Sequence, residues 1–146
     1  MKAAFPGIAA LVIVVAGSLP AGAHHSHPIF YDSCTTLTIE GEVESVQWKN
    51  PHVLIDLIAN DGKAYRAEWT SAEILERTSI EPPKAGERVV VRGNPMRDVE
   101  AIRARFPSLT LTTPAKPVVD LIQIRRASDG WNWARPEPAS QDCGRK

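Results

Sequence analysis

What this sequence lacks narrows its chemistry. There is no charge excess: 17 basic residues face 17 acidic ones, so neither the basic stripe of a nucleic-acid binder nor a polybasic membrane patch stands out. Cysteine is reduced to Cys34 and Cys143, with none of the CxxC or Cys-x-His spacing of a structural zinc site. No Gly-x-Ser-x-Gly elbow, phosphate-binding loop or cysteine nucleophile with its histidine signature occurs. Glu40, Glu42 and Glu44 share one face without a partner that would make a catalytic pair, so nothing points to a hydrolase. No internal repeat is present. No apolar run reaches the ~20 residues that a membrane-spanning helix needs. Histidine is scarce too, four residues in 146, yet three of them fall within "HHSH" at positions 24–27.

The apolar run that does exist is short. Met1-Lys2 makes a positive start, Ile8 to Val15 form a hydrophobic core, and Gly17, Ser18 and Pro20 end it. Ala21-Gly22-Ala23 fits the small-residue cleavage rule, so residues 1–23 read as a signal peptide instead of an uncleaved anchor. The expected address is periplasmic or secreted, and the expected first residue after cleavage is His24. Losing Lys2 leaves 16 basic against 17 acidic residues. In an oxidising compartment the two cysteines read first as a disulfide, with two free thiols or a soft metal site as alternatives.

The remaining chain suits one domain with a modest core. "TLTIEGEVESVQW" alternates Leu37, Ile39, Gly41 and Val43, then changes phase to Val46 and Trp48, which predicts a half-buried strand with a bulge near Glu44-Ser45. Asn50-Pro51 predicts a turn, "HVLIDLI" a second strand, Asn60-Asp61-Gly62 a tight turn, and Tyr65, Ala67 and Trp69 a third strand. Thr70-Ser71-Ala72-Glu73 has capping-box spacing, with Thr70 as N-cap of a short helix carrying Ile74 and Leu75. "ERVVVRG" and Val118 to Ile124 supply two further strands. The expected fold is mainly β: a small five-stranded OB-like barrel with one short helix, an SH3-like barrel being the alternative. The barrel is expected over 24–133, with Trp48, Ile55, Tyr65, Trp69, Val89, Val91 and Ile122 inside, and 134–146 as an irregular tail. The stretch 94–117 is rich in turn formers and gives no clear element.

Several motifs together resemble a known family. The His24-His25-Ser26 start after a signal peptide, Tyr31-Asp32, Gly41-x-Val43, Trp48-Lys49-Asn50-Pro51-His52, Glu68-Trp69 and the Lys84 to Val89 stretch are similar to an exported bacterial family catalogued as domain of unknown function 6152. The likeness runs over roughly His24 to Gly93. It implies a small β-barrel outside the cytoplasm and brings no established activity. His27 and the two cysteines depart from the pattern.

Function must therefore come from the residues. Neutral imidazole is the commonest protein metal ligand, and with a free pKa of ~6.5 it is largely unprotonated at neutral pH. Cleavage after Ala23 would let His24 offer both its α-amine and its imidazole, closing a chelate ring. One more imidazole in the plane, from His25, His27 or His52, gives an all-nitrogen tetragonal set suited to Cu(II) or Ni(II). A cut two residues earlier would place His24 third, and a different square-planar chelate favouring the same metals would form. Zn(II) would need three or four imidazoles. The competing reading is a soluble His-rich leader without a site. Trp131 and Trp133, after the Asp129-Gly130 turn, are weaker candidates for stacking on a flat ligand. Two functions follow: a metal-binding module with Cu(II) preferred, or a metal-free barrel that binds a small ligand, glycan or partner protein.

Overall fold

The computed structural model describes residues 27–136 together with Cys143. In chain order the elements are one helical turn α1 (His27–Phe30), strands β1 (Leu37–Gln47), β2 (Leu54–Ala59) and β3 (Ala64–Glu68), helix α2 (Ala72–Arg77), strand β4 (Arg88–Pro95), helix α3 (Val99–Arg105), and strands β5 (Val118–Arg126) and β6 (Asn132–Ala134). The sheet order is β3-β2-β1-β4-β5-β6, and a parallel pairing of β3 with β5 closes five strands into a barrel. This is the OB-like barrel expected from the strand order, extended by β6 along the free edge of β5.

β1 shows why the chain can close on itself. Ile39, Gly41 and Val43 turn inward and are buried, while Glu40, Glu42 and Glu44 are exposed. Val43 pairs with Leu57 but Ser45 with Asp56, so Glu44 is the extra residue of a bulge. A bulge bends its strand and increases local twist. β1 accordingly pairs with β4 over Leu37 to Glu42 and with β2 over Gly41 to Gln47, serving both sides of the barrel. Gly41 lies where the two pairings overlap. A Cβ there would stand 2.2 Å from the Ile58 carbonyl oxygen, so the backbones could not keep their separation. Gly41→Ala is expected to destabilise the protein by about 1–3 kcal/mol through overpacking, read by urea unfolding. A loss below about 0.5 kcal/mol, the size of an ordinary surface change, would contradict this close approach.

Inward side chains from every barrel strand make one core, with Val43, Ile55, Leu57, Trp69, Val89, Val91, Leu121 and Ile124 essentially inaccessible. Trp48, Tyr65 and Ile122 differ from expectation and are only half-buried. Trp48 stands at the barrel's rim because its indole Nε1 donates to Glu76 Oε1 of α2 at 2.8 Å, a bond that keeps one edge of the ring outside.

α2 covers one end of the barrel with Ala72 and Leu75. Its N-cap is Ser71, not Thr70: the Ser71 hydroxyl oxygen accepts the Ile74 N–H at 3.3 Å. Thr70 is still engaged with the sheet, its carbonyl accepting the Val53 N–H at 3.1 Å, so the helix starts one residue later. The described residues contain three helices instead of one. α3 falls in the stretch that gave no clear reading, capped by Asp98 and burying Val99 and Ile102 at i, i+3 spacing. β6 runs to Ala134, so the first residue assigned to an irregular tail is paired with Gln123 of β5. Cys34 and Cys143 form a disulfide, with 5.4 Å between their Cα atoms.

Candidate functional site

His52 is set by the strand that follows it. Asn50-Pro51, joined by a cis peptide, turns the chain, and Val53 is fully buried. The Val53 carbonyl accepts the Trp69 N–H at 2.8 Å, which fixes this stretch beside the end of β3. His52 Nδ1 then lies 3.1 Å from the Trp69 carbonyl oxygen and 3.4 Å from Glu68 Oε1. Both neighbours are acceptors, so the geometry places a proton on Nδ1. A metal-ligating histidine is held in the same way, by a carbonyl or carboxylate on its non-ligating nitrogen.

Glu68 belongs to the outer wall of the barrel, because Ala67 and Trp69 on either side of it point into the core. Its Oε2 accepts the Tyr31 hydroxyl at 2.7 Å. In register, Glu68 lies opposite Asp120 of β5, and Asp120 opposite Asn94 of β4. Asp120 is 3% exposed, and Arg135 grips it with two hydrogen bonds of 2.9 and 2.6 Å. Asn94 donates to the Thr35 carbonyl at 2.7 Å. Burial first, then the Glu68 charge, pushes the Tyr31 phenol far above its usual range, so Tyr31 stays a proton donor to Glu68. The cluster thus gathers two carboxylates, one guanidinium and the His52 ring.

The segment following the histidines is anchored on this wall. Tyr31 bridges to Met96, the Asp32 N–H donates to the Pro95 carbonyl at 2.9 Å, and the Arg97 N–H donates to the Phe30 carbonyl at 2.8 Å. α1, which begins at His27, ends at Phe30, the residue before Tyr31. A second outer-wall cluster is self-contained. Asp56 takes two bonds from Arg66 at 2.7 and 2.8 Å with Lys116 alongside, and the Arg66 guanidinium holds the Asp56 carboxyl below its usual range.

Of the metal-ligand candidates, His52 stands in this polar cluster. His24 and His25 lie outside the described residues, and His27 is described only as the start of α1. Among the described residues no group of three or more His, Cys, Asp or Glu could hold a metal ion. Nor is any described helix long and apolar enough to cross a membrane. Trp131 and Trp133 are half-buried and stand edge-to-face on Trp69, with ring centroids 6.4 and 5.1 Å away. The Arg126 guanidinium lies 5.1 Å from the Trp131 ring centre. Tyr31, Glu68, Asp120 and Arg135 are the site residues that sequence reasoning missed. Strand alternation puts Glu68 outward, but the sequence holds no local sign of its partners.

The model of the family of unknown function DUF6152 matches residues 10–104, well over half of the chain. The chain belongs to that family. In this DUF6152 member, three separate stretches that carry the resemblance meet at one cluster: Tyr31-Asp32, Trp48 to His52, and Glu68-Trp69. No curated protein matches the chain. Among solved structures, a crystal structure described as that of an aspartyl-tRNA synthetase from Leishmania major Friedlin is similar at 14% identity and a TM-score of 0.44. The match covers 69% of this chain and 19% of that one, so the chain spans about a fifth of that protein's length.

Proposed function

We propose that this protein is an exported metal-binding module that prefers Cu(II), with His24 as its first residue after cleavage and His52 as a donor from the barrel. The observation that carries this reading is the link through Glu68. One carboxylate touches His52 Nδ1 and the Tyr31 hydroxyl at once, so the chain leading from the histidine cluster is anchored beside the only histidine elsewhere in the sequence. A carbonyl and a carboxylate on His52 Nδ1 are the kind of partners that hold a metal-ligating imidazole. His24 would supply amine and imidazole nitrogens, His52 or His27 a further imidazole, and His25 would contribute least because neighbouring residues need not point the same way.

Intact-mass measurement on exported protein is expected to give His24 as the first residue. Titration with Cu(II) is then expected to show one-to-one binding that weakens with acid, since protons compete for the same nitrogens. His52→Ala should weaken binding about tenfold, roughly 1.4 kcal/mol, without abolishing it. Stoichiometric binding that ignores His52→Ala would remove the barrel from the site. Absence of one-to-one binding would favour the metal-free barrel instead, with Trp131 and Trp133 as the region to examine.

A further inference from the structure

We propose that the Cys34–Cys143 disulfide is a reversible latch, opened by a partner that presents a dithiol, and that opening it releases the β6 arm from the barrel. No metal takes part. Both half-cystines are exposed and stand apart from the core that holds the barrel together. A thiolate can reach such a bridge, and exposed disulfides are the labile, regulatory kind.

The bridge joins two stretches that differ in how firmly they are held. Cys34 lies just before β1, whose 11 residues pair with β2 and with β4. Cys143 follows β6, which has 3 residues and pairs with β5. A strand that short adds little stability by itself. The rest of its hold comes from Trp131 and Trp133, edge-to-face on Trp69, and from the two bonds of Arg135 to Asp120. Fixing the far end of the arm at Cys34 raises the effective concentration of all these contacts. Cutting the bridge removes that gain from the arm while β1 keeps both of its neighbours. An open arm withdraws the two indoles from Trp69 and the guanidinium from Asp120, which are 1% and 3% exposed when it is closed. Reduction therefore bares an aromatic surface and a carboxylate that the oxidised protein hides.

The chemistry is thiol–disulfide exchange. One thiolate of the partner attacks a cystine sulfur, the other sulfur leaves as a thiolate, and the partner's second thiol resolves the mixed disulfide. The partner's dithiol is oxidised to a disulfide, and its two electrons and two protons leave Cys34 and Cys143 as thiols.

The test uses the full disulfide-bonded chain under native conditions, with dithiothreitol as the dithiol and with thiol count and amide hydrogen exchange as readouts. The Arg126 N–H on the Trp131 carbonyl and the Arg135 N–H on the Ile122 carbonyl, both at 2.8 Å, report the β5–β6 pairing. The Val43 N–H, on the Glu87 carbonyl at 2.9 Å, reports the barrel. Reduction should free both thiols and speed exchange at Arg126 and Arg135, relative to Val43, by at least about tenfold. Reoxidation should restore the original ratio. The double variant Cys34→Ser with Cys143→Ser should match the reduced form and ignore dithiothreitol; if it fails to fold, the reduced wild-type chain carries the test. A bridge that the native protein does not yield to dithiothreitol would overturn the latch. So would an exchange ratio that reduction leaves unchanged, since the bridge would then be a staple of the whole fold.

Discussion

Trp69→Ala is expected to destabilise the protein by about 3–5 kcal/mol, as large-to-small changes of a buried aromatic do. Trp69 is 1% exposed and is the largest fully buried side chain of the core. Removing its indole takes away the surface on which both Trp131 and Trp133 stand edge-to-face, so β6 should loosen along with the core. Among the described residues the indole Nε1 has no hydrogen-bond partner, so the loss is one of packing. Its backbone contacts, the N–H to Val53 and the carbonyl to His52, survive the substitution. Trp69→Phe should therefore be milder, filling part of the cavity. Urea unfolding followed by far-UV circular dichroism reads both variants. A loss under about 1 kcal/mol for Trp69→Ala would mean that the barrel interior is not packed around this ring.

Breaking the Cys34–Cys143 disulfide is expected to cost as much. The bridge joins residues 109 positions apart, a loop for which the chain-entropy model gives up to ~4.7 kcal/mol, with measured losses usually lower, in the range ~2–5. Cys34 comes three residues after Tyr31, so the bond also ties down the anchored segment on the outer wall. Unfolded but unreduced protein should take up no alkylating label, and reduced protein should label at both positions and unfold at lower denaturant. Labelling of both thiols before reduction would refute the bridge. An unchanged midpoint after reduction would show that the outer-wall contacts hold the segment without it.

Much of the barrel was legible because strand alternation is a local signal. The phase change in β1 marked the Glu44 bulge, and the turns at Asn50-Pro51 and Asn60 to Gly62 separated strands of the right length. The misplacements came from competition between neighbours that local spacing cannot settle. Thr70 and Ser71 can both cap a helix, and the choice was made by a tertiary contact, the Val53 N–H on the Thr70 carbonyl. Trp48 reads as core by alternation, yet Glu76 of α2 holds its indole edge at the rim. α3 had a signal in Asp98 and the Val99/Ile102 spacing, obscured by the prolines on either side. β6, at three residues, is too short to announce itself.

The candidate site was legible only in part. His52 stood out because histidine is scarce, and its place in a turn put it at a barrel rim. The polar cluster around it draws Tyr31, Glu68, Asp120 and Arg135 from four distant parts of the chain. None of these residues is unusual in its own neighbourhood. Only closure of the barrel, with β3 against β5, brings Glu68 opposite Asp120. The family resemblance touched the right stretches without saying that they meet.

The most direct measurement is the Cu(II) affinity of the chain that begins at His24, compared with the same chain carrying one additional Met before it. The added residue leaves every imidazole in place and moves only the α-amine away from the His24 ring. If that amine and ring form the chelate, the extended form should bind at least about tenfold more weakly, a difference of ~1.4 kcal/mol. Equal affinities would contradict the chelate and reduce the histidine cluster to a soluble leader.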